Sequence, residues 1–158
     1  TQINETLQAA ARIGMPTAWL WPNVDAGSDD VSKCLRMYRE REHPKWLHLY
    51  RNFAPEDYAR LINNAACVVG NSSSGLREGA FLGVPVVNIG SRQQGREHGP
   101  NVVHAPYESR AIEAAVRKQV AHGRYPSSKM FGDGIAGKRI SDILAGATFR
   151  IQKRLAYT

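Results

Sequence analysis

The chain predicts an α/β fold, a three-layer Rossmann-like domain built on a parallel sheet, and three observations carry that expectation. Short apolar runs such as Thr17-Ala18-Trp19-Leu20-Trp21 and Val84-Pro85-Val86-Val87-Asn88-Ile89 recur with almost no polar face, as strands covered on both sides require. Stretches with helical periodicity separate them. Strand, crossover and strand then repeat, an order that brings successive strands side by side in parallel.

The elements follow in order. Asn4 to Ile13, with Ile3, Leu7, Ala10 and Ala11 on one side, is an amphipathic helix ended by Gly14 and Pro16. Thr17 to Trp21 is the first strand. Asp29 to Glu42 is a helix with Val31, Leu35 and Tyr38 inward and Lys33, Arg36, Arg39 and Arg41 on a basic face that solvation explains. Lys45 to Tyr50 is the next strand. Ala54-Pro55-Glu56-Asp57 opens a helix through Asn64, with proline and acids in its first turn. Cys67 to Val69, Val84 to Ile89 and Asn101 to Ala105 are strands, and Leu76 to Leu82 is a short helix between the first two. Ser109 to Ala121 turns Ile112, Ala115, Val116 and Val120 inward. Tyr125 to Gly134 is irregular, Ile135 to Leu144 is helical, and Thr148 to Thr158 is a basic tail whose Phe149, Ile151 and Leu155 suit a missing domain or a partner subunit.

A length of 158 residues with 42% apolar content fits one globular domain. No run of about 18 apolar residues offers a membrane span, and the start does not resemble a signal peptide. The opening on Thr1 suggests a piece of a longer protein. Cys34 and Cys67 lack C-x-x-C or metal-ligand spacing, so a reduced, cytoplasmic setting and no metal are expected. Cys67, in an apolar strand, reads as packing.

Lysine and arginine total 21 against 14 acids, a net charge of +7, so an anionic partner is expected. The charges are scattered rather than gathered into a basic run interleaved with aromatics, which ranks nucleic acid below a nucleotide. No G-x-G-x-x-G follows the first strand, so the NAD fingerprint is absent, and no cofactor is expected.

Ala66 to Val103 holds the strongest functional signal. The strand Cys67-Val68-Val69 stops at Gly70-Asn71, and Ser72-Ser73-Ser74-Gly75 leads into the short helix. Any of the three serines can cap it. Its unpaired N–H groups would face the strand's carboxyl end, where an anion is favoured by those donors and the helix dipole. Arg92 and Arg96 come directly after the next strand, placed to reach the same anion, although the residues alone also allow a plain helix cap and solvated arginines. The loop Pro22-Asn23-Val24-Asp25-Ala26-Gly27-Ser28 ends the first strand in a comparable place. There Asn23 and Asp25 can bond hydroxyl or phosphate oxygens, or Asp25 or Ser28 can cap the next helix. His98 and His104 lack ligand spacing and carry no catalytic role.

The run G-N-S-S-S-G-L-R-E-G-A-F-L-G-V-P-V-V-N-I-G-S-R-Q-Q-G-R-E resembles the nucleotide-binding signature of the UDP-N-acetylglucosamine 2-epimerases. Trp21 to Ser28 and Tyr125 to Gly134 are similar to the hydrolysing, sialic-acid-pathway branch. The resemblance implies that residues 1–158 are the carboxyl-terminal, UDP-binding half of a two-domain GT-B enzyme whose amino-terminal domain is absent from this chain. It implies a UDP-sugar as substrate, with Ser72 and Ser73 on the diphosphate, Glu78 on the ribose hydroxyls, Arg92 on phosphate charge, and Asn23 and Phe53 on the nucleotide. Its chemistry is elimination of UDP to a glycal followed by hydration to N-acetylmannosamine. Catalytic groups are expected in the amino-terminal domain, so this half alone would bind UDP weakly without turnover; the full-length enzyme would be a homodimer. A non-hydrolysing epimerase, another GT-B nucleotide-sugar enzyme and a non-catalytic nucleotide-binding module remain as alternatives.

Overall fold

A computed structural model describes residues 2–22, 28–148 and 152. The elements run α1 (Gln2–Ile13), β1 (Thr17–Leu20), α2 (Ser28–Glu42), β2 (Leu47–Tyr50), α3 (Pro55–Asn64), β3 (Val68–Gly70), α4 (Ser73–Leu82), β4 (Val86–Ile89), β5 (Val102–Ala105), α5 (Ser109–His122) and α6 (Ala136–Gly146). Among the described residues every strand pair is parallel, so the expected α/β architecture is present.

Pairing divides the strands into two ladders, β1-β2 and β3-β4-β5. β4 is the centre of the larger one, and its Val-Val-Asn-Ile is buried throughout, as an apolar run between two neighbours should be. Its alternate residues feed two separate cores. Val87 and Ile89 pack with Ala9, Ala105, Ile112 and Val116 of α1, β5 and α5. Val86, with Val84, packs with Ile62, Leu76 and Val102 of α3, α4 and β5. Helices therefore cover both faces of this ladder, which makes the three layers.

The β1-β2 ladder departs from expectation. One face carries Trp19, Leu47 and Leu49 into a third cluster with Leu7 and Leu35, whereas Ala18, Leu20, His48 and Tyr50 on the opposite face are exposed. An apolar strand reports that its faces are compatible with burial, not that this chain buries both. Helix α1 ties the ladders together, since its Leu7 belongs to the third cluster and its Ala9 to the first.

Polar bonds fix α1 on α5. The Glu5 carboxylate accepts from the Ser109 N–H at 2.8 Å, filling an orphan donor at the start of α5. Arg12 donates to Glu113 at 2.6 Å and Arg117 to the Arg12 carbonyl at 2.9 Å. Helix α6 begins after Asp133, whose carboxylate accepts from the Ile135 N–H and from both terminal nitrogens of Arg139. No residue of α6 is buried, and Ile140, Ile143 and Leu144 are each more than half exposed. Among the described residues no helix is long and apolar enough to cross a membrane.

Candidate functional site

Strand register places the site. Gly70 on β3, Asn88 on β4 and His104 on β5 lie in line across the ladder, so the segments that follow these strands leave from one carboxyl edge. Parallel sheets bind ligands at that edge.

The segment after β3 becomes α4 three residues earlier than the sequence suggests. Ser72 is the cap: its backbone is extended, at φ −78° and ψ 143°, and its hydroxyl accepts from the Ser74 N–H at 3.3 Å. Ser73 and Ser74 are helical, and the Ser74 hydroxyl bonds Tyr58 of α3 at 2.6 Å. Ser74 is thereby engaged in packing, which leaves Ser72 and Ser73 at the open end of the helix. Close approach explains how so weak a helix sequence is held: a Cβ on Gly75 or on Gly79 would come within 3.1 Å of Val86. The two glycines let α4 lie directly on β4, with its amino end and dipole aimed out past the strand ends.

The segment after β4 carries the arginines. Gln93 is 3% exposed, and its side-chain amide donates to the Asn71 carbonyl at 2.7 Å. That bond clamps the arginine loop onto the serine loop. Gln93 was not singled out from the sequence, because a glutamine between polar neighbours carries no local signal; only the fold shows it buried.

A third segment completes the site. Residues 124–131 run back along α4 from its carboxyl end, where Arg124 donates to the Leu82 carbonyl, Ser127 to the Phe81 carbonyl and the Ser128 N–H to the Ala80 carbonyl. These donors fill acceptors that a helix end leaves open. The strap delivers Phe131 beside Arg77, whose guanidinium lies 5.9 Å from the ring centroid. Ser73, Leu76, Arg77, Arg96, Glu97 and Phe131 then line a cavity of about 180 Å³. Two guanidiniums, a serine and a helix amino end around one hollow, against the single carboxylate of Glu97, leave a net positive site suited to an anion.

Of the residues expected at the site, Ser73 lines this cavity and Ser72 caps the helix beside it. Glu78 and Arg92 are exposed; Arg92 belongs to the clamped loop, and Glu78 lies one residue beyond Arg77 on α4. Phe53 is half-buried at the end of β2, its ring 4.9 Å from that of Tyr50. Asn23, with Asp25 and Gly27, falls outside the described residues, as do Phe149, Ile151 and Leu155 of the tail. Phe131 and Arg77 are additions from the fold. Neither carries a local signal of its own: Arg77 is one cation on a short helix, and Phe131 lies within the irregular stretch Tyr125 to Gly134.

A second, wider hollow of about 600 Å³ lies between the arginine loop and the end of β5, lined by Ser91, Gln94, Arg96, His98, His104 and Tyr107 among others. Partial desolvation at the strand end, and then the neighbouring His98, hold His104 below the usual histidine range. Cys67 belongs to the core: burial pushes its thiol up to about 12, which removes it from nucleophilic chemistry. No disulfide joins Cys34 and Cys67.

Comparison with known proteins matches this chain to one family. A family model described as UDP-N-acetylglucosamine 2-epimerase matches residues 1–145. A UDP-N-acetylglucosamine 2-epimerase of Neisseria meningitidis is 30% identical over 73% of this chain and 29% of its own length. A UDP-N,N'-diacetylbacillosamine 2-epimerase (hydrolyzing) of Legionella pneumophila is 29% identical over 90% of this chain and 37% of its own length. In structure, the UDP-GlcNAc 2-epimerase of Methanocaldococcus jannaschii, solved with UDP-GlcNAc and UDP, superposes with a TM-score of 0.69 at 15% identity. That superposition covers 92% of this chain and 40% of the archaeal one, and it speaks for the fold. The chain thus spans well under half the length of these relatives, and on the family match it belongs to the UDP-N-acetylglucosamine 2-epimerase family.

Proposed function

We propose that this chain is the UDP-binding, carboxyl-terminal half of a hydrolysing UDP-N-acetylglucosamine 2-epimerase. The observation that carries the reading is the Gln93–Asn71 clamp, which joins the Ser72-capped end of α4 to the loop bearing Arg92 and Arg96. A leaving diphosphate gains negative charge as its bond to the sugar breaks, and fixed donors at that place lower the barrier. Arginine suits it because its planar fork meets two phosphate oxygens at once.

In this reading Ser72, Ser73 and the first free N–H groups of α4 hold the diphosphate, Arg92 neutralises it, Glu78 takes the ribose hydroxyls, and Asn23 and Phe53 contact the nucleotide. A proton leaves carbon two of the sugar while the bond from carbon one to the UDP oxygen breaks. UDP departs with the electron pair and a glycal remains. Water then adds across the double bond, with hydrogen returning to carbon two on the opposite face, and N-acetylmannosamine results. The acid and base for these steps belong to an amino-terminal domain, and the complete enzyme works in the cytoplasm as a homodimer. The Legionella relative, named as hydrolysing, supports the hydrolysing outcome, and the Escherichia coli polysialic acid biosynthesis protein P7, 38% identical over 90 residues, supports the sialic-acid setting.

Calorimetric titration with UDP, beside an Arg92→Ala variant and single-stranded DNA, tests the proposal. UDP binding that weakens in the variant, with no binding of DNA, is the expected result. DNA binding without UDP binding assigns the positive charge to nucleic acid instead. Product analysis of the complete protein separates free N-acetylmannosamine from a UDP-linked product.

A further inference from the structure

His98 and His104 are six positions apart, a spacing without metal-ligand character in a helix or a tight turn. The fold nevertheless brings their rings together. His104 ends a strand whose register sets it opposite Asn88, and the loop after β4 returns His98 above it. The Nε2 atoms are 3.2 Å apart, and the rings meet edge to face at 4.9 Å between centroids. Both side chains are exposed and both line the 600 Å³ hollow.

We propose that His98 and His104 form a two-histidine site for a divalent transition-metal ion of zinc type, opening into the hollow beside the arginine loop. Two nitrogens bound to one tetrahedral zinc at about 2.0–2.1 Å stand roughly 3.3 Å apart, so an ion can replace the shared proton with rotation of the rings and little movement of the backbone. Each imidazole also has the outer partner that metal-binding histidines use. The Nδ1 of His98 faces the Gly99 carbonyl at 3.1 Å. The Nδ1 of His104 faces the Asn88 amide at 3.0 Å, and the Asn88 Oδ1 is buried without a hydrogen-bond partner.

That orphan acceptor is informative. Without metal, the Asn88 NH₂ donates to Nδ1 of His104, the Nε2–H of His104 donates to Nε2 of His98, and the Nδ1–H of His98 donates to Gly99. With metal, both Nε2 atoms must be bare and His104 must carry its proton on Nδ1. Turning the Asn88 amide over presents its Oδ1 to that proton; the 3.4 Å bond to the Gly90 carbonyl is lost and the NH₂ moves to the buried place that the Oδ1 held. Asn88 can therefore support either state. Among the described residues no group of three or more histidine, cysteine, aspartate or glutamate side chains is placed to hold a metal, so the remaining positions go to water or to an anionic ligand in the hollow, where Arg96 adds positive charge.

Titration of the metal-stripped protein with zinc chloride, followed by calorimetry, tests the site, with magnesium chloride as a control because that ion demands oxygen ligands. One zinc ion per chain and no magnesium binding are expected. His98→Gln and His104→Gln should each weaken zinc at least about tenfold, since even loss of an outer partner costs that much. His48→Gln, on the exposed face of β2, should change nothing. Two-bond proton–nitrogen spectra of the imidazoles give a second readout in the unmutated chain, with zinc moving Nε2 of these two rings selectively. Zinc binding unchanged when His98→Gln and His104→Gln are combined, no saturable binding, or equal perturbation of all five histidines would overturn the proposal.

Discussion

The side-chain amide of Gln93 and the carbonyl of Asn71 are joined at 2.7 Å, and this bond holds the loop after β4 against the loop after β3. The Gln93→Leu variant keeps the apolar bulk but leaves the Asn71 carbonyl without its donor. An unmade buried bond costs about 1–3 kcal/mol, and each 1.4 kcal/mol that reaches the ligand is about tenfold in affinity. UDP affinity measured by calorimetry should fall roughly tenfold, because the arginines lose their fixed position relative to the serines. Unchanged affinity would separate the clamp from the site.

A second polar device is wholly structural. Gln119, 1% exposed, donates to the carbonyls of Val86 and Asn101 and accepts from the Tyr125 hydroxyl at 2.7 Å. It links the start of β4, α5 and the strap. Gln119→Leu should cost about 1–3 kcal/mol and Tyr125→Phe about 0.5–1.5 kcal/mol in urea unfolding. The double variant should cost less than the sum, since both changes break the same bond.

The order and type of the elements were legible because each rests on local pattern: the amphipathic α1, the proline and acids opening α3, the continuous apolar run of β4. What joins distant segments was not. Three adjacent serines are equivalent in sequence, and Ser72 becomes the cap because Gly75 and Gly79 dock α4 on Val86 and so set where the helix starts. Serine and glycine are weak helix formers, so local preference placed that start too late. The exposed Leu20 and Tyr50 show the same limit, since an apolar residue does not name what covers it. Gln93, Phe131 and the meeting of His98 with His104 depend on strand register and on the path of a loop, to which residue identity gives no access. The helix cap in the serine loop was legible because cap, helix and strand all act within one short stretch.

The strap can be tested through two glycines with similar backbones. Gly83, at φ 65°, ends α4, with its N–H bonded to Ala80 and that of Val84 to Gly79. A Cβ there would strike the Tyr125 carbonyl. Gly95, at φ 76°, has nothing within 4 Å of such a Cβ. Gly95→Ala should cost about 1 kcal/mol, the conformational term alone. Gly83→Ala should cost clearly more and loosen the strap, read as faster hydrogen exchange at the Tyr125 and Ser128 amides, whose bonds to Gly83 and Ala80 it would break.

Acid should release α1 from α5. The Ser109 N–H bonded to Glu5 holds that carboxyl below its ordinary range, and Arg12, then Arg117, do the same for Glu113. A carboxyl depressed in the folded state stabilises at pH above its unfolded value, about 4.3, and the contribution disappears as pH falls through the folded value. The melting temperature should therefore decline as pH drops below about 5. Glu5→Gln keeps an oxygen for the Ser109 N–H but removes the titration, so its melting temperature should vary less with pH across that window. Glu5→Ala removes both, and should be less stable than Glu5→Gln at neutral pH with an equally flattened acid limb. Parallel acid limbs in all three proteins would mean that the Glu5–Ser109 contact does not form in solution.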